Sequence, residues 1–336
     1  MELLKASNPP VRKILWALDP FQETMQNQRN AGNSLRLLFK KAPVVVQPVS
    51  VLLPGRFDIE RDRFLSQWEE LSEAARTNLK GVLKESAIPG WEELHLMRQK
   101  GKSVTGAVQR LLSYAIKEKS DLIVVSTHGR KGAERFFMGS FAETLVLRSP
   151  VPVLVVNAKI REHRAFKHIV FPTDFSASSK KAFDRVVAFA KDFQYDILIT
   201  HKMEPLFTEA GVPLPPLSDR SLSLIEKNYA DKGEIWAAVA RGQGVDTKFF
   251  LDKRLGYALG GILKVAKRRR SDAIIAMASQ SRALKSLLLG SLTRQLLRSA
   301  PCPVLIFHPH EELFTEKLKK QFTKLTRDEH SRPLLS

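Results

Sequence analysis

The sequence predicts an α/β protein of two tandem domains, each a five-stranded parallel sheet with helices on both faces. Three observations carry this reading. Short apolar runs alternate with amphipathic segments, a domain-sized repeat runs through the chain, and 336 residues suit two units of about 150. Alternation of this kind is the pattern of βαβ units, whose parallel strands are buried on both faces.

The repeat is the strongest of the three. "DLIVVSTHGRKGAERFFMGSFAETLVLRSPVPVLVV", from Asp121, aligns without a gap to "DAIIAMASQSRALKSLLLGSLTRQLLRSAPCPVLIF", from Asp272, at an offset of 151 residues. Gly139 and Ser140 fall on Gly290 and Ser291, and Pro150 and Pro152 on Pro301 and Pro303. Earlier, "KILWALD" from Lys13 matches "HIVFPTD" from His168, and Gly101 matches Gly256, both at an offset of 155. The copies therefore differ by four residues between the third helix and the fourth strand. A period this long is a duplicated globular domain, since solenoid repeats are shorter. The expected boundaries are 1–157 for the first copy, 158–308 for the second and 309–336 for a tail.

Strands are expected near 13–18, 43–51, 92–97, 121–125 and 152–156 in the first copy. In the second they fall near 168–172, 196–202, 247–251, 272–277 and 303–307, with helices between them. The helix in "SSKKAFDRVVAFAKDF" places Ala182, Phe183, Val186, Val187, Phe189 and Ala190 on one face. Ser103 and Ser176 stand where helix N-caps are wanted. The proline-rich 204–219 reads as an extended loop. Beyond 309, Phe314, Leu318, Phe322 and Leu325 share one helical face ringed by lysines, a segment expected to dock on the body of the protein.

Composition narrows the function. The chain is 43% hydrophobic and 26% charged, enough for ordinary cores. No apolar run approaches the roughly 18 residues of a membrane helix, and "MELLKASNPP" lacks the apolar stretch of a signal peptide. Cys302 is the only cysteine, which excludes an internal disulfide and a cysteine-based zinc site, and its setting in "APCPVLIF" favours a buried thiol. A cytoplasmic protein is expected. The net charge of +19 favours anionic partners. It recurs at 157–168, 264–272 and 316–327, although cations at 267–270 also suit a helix C-terminus on a solvated face. There is no HExxH, GxSxG or zinc-spaced Cys/His set, and "GKSVTG" lacks the earlier glycine of a Walker A loop because Leu96 stands there. No catalytic residue and no metal ligand is assigned.

The stretch "STHGRKGAERFFMGS", 126–140, joins a buried strand to a helix. Its glycines let a backbone come close to an anion, and the helix behind it offers unpaired N–H groups. Ser140 can add a hydroxyl donor, and Arg130 and Lys131 charge. His128, alone in the loop, reads as a solvated side chain, and 136–138 as packing residues. Strands 1 and 4 lie where the winding reverses, the place where such sheets bind ligands. Asp19 and Asp174, which end the first strand of their copies, lie there too. Each could equally cap the following helix.

These residues resemble the universal stress protein family, tandem type, from about residue 12 to 308. That family's flavodoxin-like domain carries Gly, two residues, Gly, nine residues, Gly, then Ser or Thr, a loop that wraps the phosphates of ATP in members that bind it. In the first copy Ser126 stands at the first glycine, Gly129 at the second, then 130–138, Gly139 and Ser140. Ser126 is small enough wherever the backbone needs no glycine-only conformation. The second copy has Met277 and Gln280 at the early glycines and keeps only Gly290 and Ser291. The resemblance implies an adenine nucleotide, ATP or a close relative with Mg2+ as companion, held in the first copy. It places Asp19 on the adenine side and Val49 as a backbone contact, with Ser126, Gly129, Arg130, Gly139 and Ser140 around the phosphates. Pro20 departs from the family's usual residue after that acid. The resemblance further implies a regulatory role in the stress response rather than an enzyme, with at most weak ATP hydrolysis. Fifth strands are expected to pair across the two halves in a pseudo-twofold, and chains to form homo-oligomers such as dimers. The alternative reading is a nucleotide-independent module that binds nucleic acid, lipid or protein through its basic surface or an apolar cleft.

Overall fold

The computed structural model describes residues 13–22, 25–38, 44–54, 61–88, 91–127, 140–157, 160, 167–204, 218–254, 256–277 and 290–307. The first copy runs β1 (Lys13–Ala17), α1 (Gln26–Leu38), β2 (Val45–Leu52), α2 (Arg61–Ser66), α3 (Trp68–Ser86), β3 (His95–Arg98), α4 (Val104–Lys117), β4 (Leu122–Ser126), α5 (Ser140–Arg148) and β5 (Val153–Val156). The second runs β6 (His168–Pro172), α6 (Ala177–Phe193), β7 (Asp196–Lys202), α7 (Asp219–Gly242), β8 (Thr247–Asp252), α8 (Ala258–Arg268), β9 (Ala273–Met277), α9 (Ser291–Ser299) and β10 (Val304–Phe307). The proline-rich 205–217 and the tail from 308 lie outside the described residues.

The strands form one sheet in the order β3-β2-β1-β4-β5-β10-β9-β6-β7-β8. Each half is parallel, and the two halves meet through the antiparallel pair β5–β10, with Val155 opposite Val304 and Val153 opposite Ile306. The expected α/β class and parallel five-stranded units are those observed. β3 starts at His95, later than the expected 92, since the ladder with β2 begins at Val49 opposite His95 and Trp91 makes only an isolated bridge to Val46.

Local sequence explains the helix starts and faces. Ser103 and Ser176 cap α4 and α6, accepting from Gly106 N at 3.3 Å and Ser179 N at 3.1 Å. All six residues expected on the inner face of α6 are buried. Helices α1, α3, α6 and α7 pack on one face of the sheet, with Trp16, Phe171, Phe183 and Trp236 in a shared core. Helices α4, α5, α8 and α9 cover the other, where Cys302 is buried and its thiol pushed up by burial. At Gly233 a Cβ would stand 2.2 Å from the Phe249 ring, so only glycine lets α7 lie this close to β8.

Polar contacts tie the halves together. The Asn157 side chain donates to the Ala300 carbonyl at 2.8 Å, and Arg294 of α9 pairs with Glu143 of α5 at 3.3 Å. Asn157→Ala leaves a buried carbonyl at the seam without this donor and is expected to cost about 1–3 kcal/mol, read as a lower urea midpoint at unchanged m-value.

Candidate functional site

In each half the winding reverses between β1 and β4, or between β6 and β9, so the carboxyl ends of those strands are where this topology places a ligand cleft. Because β5 and β10 are antiparallel, the two clefts open at opposite ends of the sheet. The same positions in the two copies hold different chemistry.

In the first copy Asp19 ends β1, and its Oδ1 accepts from Phe21 N at 3.1 Å, a local turn rather than a cap on α1, which begins at Gln26. The Asp19 carbonyl accepts from Gln28 Nε2 at 2.6 Å. Ser126 is the last residue of β4, paired to Val156, and its φ is not positive, so the strand end accepts a serine without glycine-only geometry. Thr127 follows, buried, with its carbonyl accepting from Asn27 Nδ2 at 3.1 Å. Ser140 is exposed as the first residue of α5. Gly129, Arg130 and Gly139, with His128, Lys131 and 136–138, lie outside the described residues.

The ladder decides which backbone groups of β2 face the cleft. The Val49 carbonyl accepts from Leu18 N at 2.8 Å, and the Leu52 carbonyl accepts from Gln99 N at 2.8 Å. Peptide direction alternates along a strand, so Val49 and Val51 point toward β1 while Ser50 and Leu52 point toward β3. Val49 is consumed by the ladder. Val51, two residues on, stands past the last paired residue of β1, Ala17, on the same side. Met97 lies opposite Val51 on β3, so this end of the cleft is apolar.

In the second copy the same register brings Lys202 to the position of Val51 and Asp252 to that of Met97. The Lys202 ammonium stands 3.3 Å from Asp252 Oδ2 and also donates to the Arg254 carbonyl, and both side chains are under 10% exposed. Burial pushes the Asp252 carboxyl up, but hydrogen bonds from Arg254 and Lys202 outweigh it and hold it below the ordinary carboxylate value. Gly261 lets α8 approach this pair, since a Cβ there would lie 2.7 Å from Lys202 Cδ. Asp174 is likewise engaged: Oδ1 accepts from Ser176 N at 2.9 Å and Ser179 Oγ at 2.5 Å. These bonds outweigh its burial and hold its carboxyl low. The His201 ring lies 4.0 Å from that of Tyr229, with Nδ1 2.8 Å from the Thr173 carbonyl. Burial holds its pKa below the ordinary histidine value, so the neutral ring donates from Nδ1. Met277 is part-buried against the core, its carbonyl accepting from Thr293 Oγ1 at 2.8 Å. Gln280 lies outside the described residues.

Sequence reading missed Asn27, Gln28 and Val51. At the offset of 155 their partners are Ala182, Phe183 and the gap-filling Lys202 lies 151 residues beyond Val51, so the contrast is visible only once the strand register is known. Among the described residues no three acidic, histidine or cysteine side chains could hold a metal, and no helix is long and apolar enough to cross a membrane.

A duplicated, doubly wound α/β protein with one apolar and one ion-paired cleft is the class that fold and site define. The family model described as the universal stress protein family matches residues 10–157 and again 165–308, and the chain belongs to that family. It is 24% identical over 155 residues to a universal stress protein of Methanocaldococcus jannaschii, a match spanning 45% of this chain and 88% of the relative. A universal stress protein structure from Archaeoglobus fulgidus aligns at a TM-score of 0.57 and 17% identity, covering 89% of this chain and 97% of that one. A Pseudomonas aeruginosa structure aligns at 0.59 and 13%, covering 92% and 98%. At these identities the structural likeness speaks for the fold alone.

The ion pair of the second cleft makes a pH-dependent prediction. Asp252 has a depressed folded pKa, so its stabilising contribution is present above the unfolded value of about 3.9 and is lost as pH falls through the lower folded one. Lys202→Met should lower unfolding stability by on the order of 3 kcal/mol at neutral pH, because it strips a buried carboxylate of one cation. That difference should shrink on acidification below about pH 4, where Asp252 of the unfolded chain takes up its proton, and disappear only below the lower folded value. Urea denaturation at neutral pH and at about pH 3 checks it; an equal difference at both would mean that Lys202 acts by packing alone.

Proposed function

We propose that the chain is an adenine-nucleotide-binding regulatory protein of the stress response, with ATP or a close relative held in the first copy. The contrast between the clefts carries the reading. An apolar floor of Val51 and Met97 suits the face of a nucleobase, whereas a buried Lys202–Asp252 pair takes the corresponding space in the second copy. Asp19 would meet the adenine side, and the backbone contact first assigned to Val49 would pass to Val51. Ser126, Gly129, Arg130, Gly139 and Ser140 would hold the phosphates through backbone N–H groups, a hydroxyl and one cation, with Mg2+ accompanying the phosphates. The role is non-enzymatic apart from weak ATP hydrolysis at most, in a cytoplasmic homo-oligomer such as a dimer.

Mass spectrometry of the small molecules released on denaturing freshly purified protein tests this directly. One adenine nucleotide per chain is expected; an empty protein that also fails to bind added ATP overturns the proposal. By calorimetric titration with ATP, Gly129→Asp and Gly139→Asp should abolish binding and Asp19→Ala weaken it at least about tenfold, some 1.4 kcal/mol. Asp174→Ala should leave it within about twofold, since the second copy is not the site.

A further inference from the structure

The two faces of the sheet differ sharply in charge. On the face that carries the main aromatic core, acidic and basic side chains are mixed: Glu69, Glu70, Glu73 and Glu85 on α3, and Asp219, Glu226, Asp231 and Glu234 on α7, balance their cations. On the opposite face the helices α4, α5, α8 and α9 hold a single carboxylate, Glu143, and it is already paired with Arg294. Arg110, Lys117 and Arg148 lie on the first-copy half of that face. The densest part is the second-copy half, where Lys264, Lys267 and Arg268 of α8 run on into Arg269 and Arg270, all five exposed, beside Arg298 of α9.

A helix C-terminus favours nearby cations, but it does not account for this many. Lys264 is three residues from Lys267 and four from Arg268, so like charges stack on one helical face, an arrangement that works against folding. Arg270 adds to this. It takes the left-handed conformation that closes the helix, at φ 50, where glycine would be free of strain, and Ser271 N completes the motif on the Ala266 carbonyl at 2.9 Å. Lys119 does the same behind α4, at φ 51. The α8 charges, held at a cost to the fold with no carboxylate on that helix to meet them, call for an anion from outside.

We infer that the α8–α9 end of this face docks the phosphate backbone of duplex nucleic acid, independently of base sequence and of the nucleotide cleft. The choice over an anionic membrane rests on what the face lacks. Among the described residues, the exposed large apolar side chains on its four helices and their caps are Leu292, at 36% exposure, and Tyr257, at 79%, which precedes α8 at the end away from Lys267–Arg270, whereas Leu224, Ile235 and Val239 lie on α7 of the opposite face. A bilayer-docking surface needs apolar side chains to insert among its cations; a phosphate backbone needs charge alone.

The test is fluorescence polarisation of the full chain with a labelled duplex DNA of about 20 base pairs, compared between two charge-reversed variants. One carries Lys264→Glu, Lys267→Glu and Arg268→Glu; the control carries Lys181→Glu, Lys191→Glu and Lys227→Glu on the opposite face, with the same change in net charge. With about five phosphates neutralised, affinity should fall several hundred-fold between about 50 and 200 mM salt. The α8 variant should lose at least about 100-fold in affinity and about three from the salt slope, and the control should stay within a few-fold. If the α8 variant fails to fold by its urea transition, the same three positions changed to Gln carry the comparison, with a loss of at least about tenfold expected. Equal losses in both variants, no binding at about 50 mM salt, or tighter binding to vesicles rich in phosphatidylserine than to the duplex would each overturn the inference.

Discussion

The antiparallel pairing of β5 with β10 is the constraint on which the rest of this structure depends. Each half alone would be a small doubly wound domain with its fifth strand exposed along one edge, an invitation to pair with another chain. Joining the two fifth strands removes both edges at once and continues the core across the seam, so Leu154 and Leu305 face each other in register. The same pairing sets the geometry of function. It turns the carboxyl ends of the two half-sheets in opposite directions, separates the clefts, and places α4, α5, α9 and α8 side by side on a single surface.

Duplication then allows the copies to diverge at matched positions without disturbing that frame. Where the first copy has Val51 and Met97, the second has Lys202 and Asp252, and where the first has Asn27 and Gln28, the second has Ala182 and Phe183. A buried ion pair is a poor source of net stability, because desolvation offsets most of the attraction. Its effect here is steric and electrostatic: it closes the space between β7, β8 and α8. The second copy invests in Phe183 stacked on Trp236, with ring centroids 5.2 Å apart, and in aromatic contacts of Phe175. One half is packed as a support and the other keeps polar groups at its mouth.

Strands and helix faces could be read from sequence because they depend on periodicity, which local pattern expresses directly. The inner face of α6 is an example, six apolar residues at helical spacing. The choice between Val49 and Val51 could not be read. Both are valines in one apolar run, "VVVQPVSVL", and only the bond from Leu18 N to the Val49 carbonyl tells which peptide the ladder has used. The Lys202–Asp252 pair was hidden for a related reason, since its members are 50 residues apart and meet only because β7 and β8 are in register. The question left at Ser126 was one of backbone conformation, which residue identity alone does not decide.

The amides of α1 show what the first copy gives up for its mouth. Asn27, Gln28, Asn30 and Ser34 are buried on a helix that would be more stable with apolar residues there, since a buried amide costs free energy unless hydrogen-bonded. Three of them are used on backbone carbonyls: Asn27 on Thr127, Gln28 on Asp19 and Asn30 on Ile160, the last at 2.8 Å. Those carbonyls belong to the ends of β1 and β4 and to the segment leaving β5, the chain segments that border the cleft. Gln28 even leaves its Oε1 without a partner among the described residues. A helix that spends its buried face in this way is fixing the position of loop ends rather than maximising stability, and α6, at the same place in the second copy, has no such amides on its buried face. Polar burial in one copy and apolar burial in the other therefore divide the tasks of holding a mouth in shape and holding the molecule together.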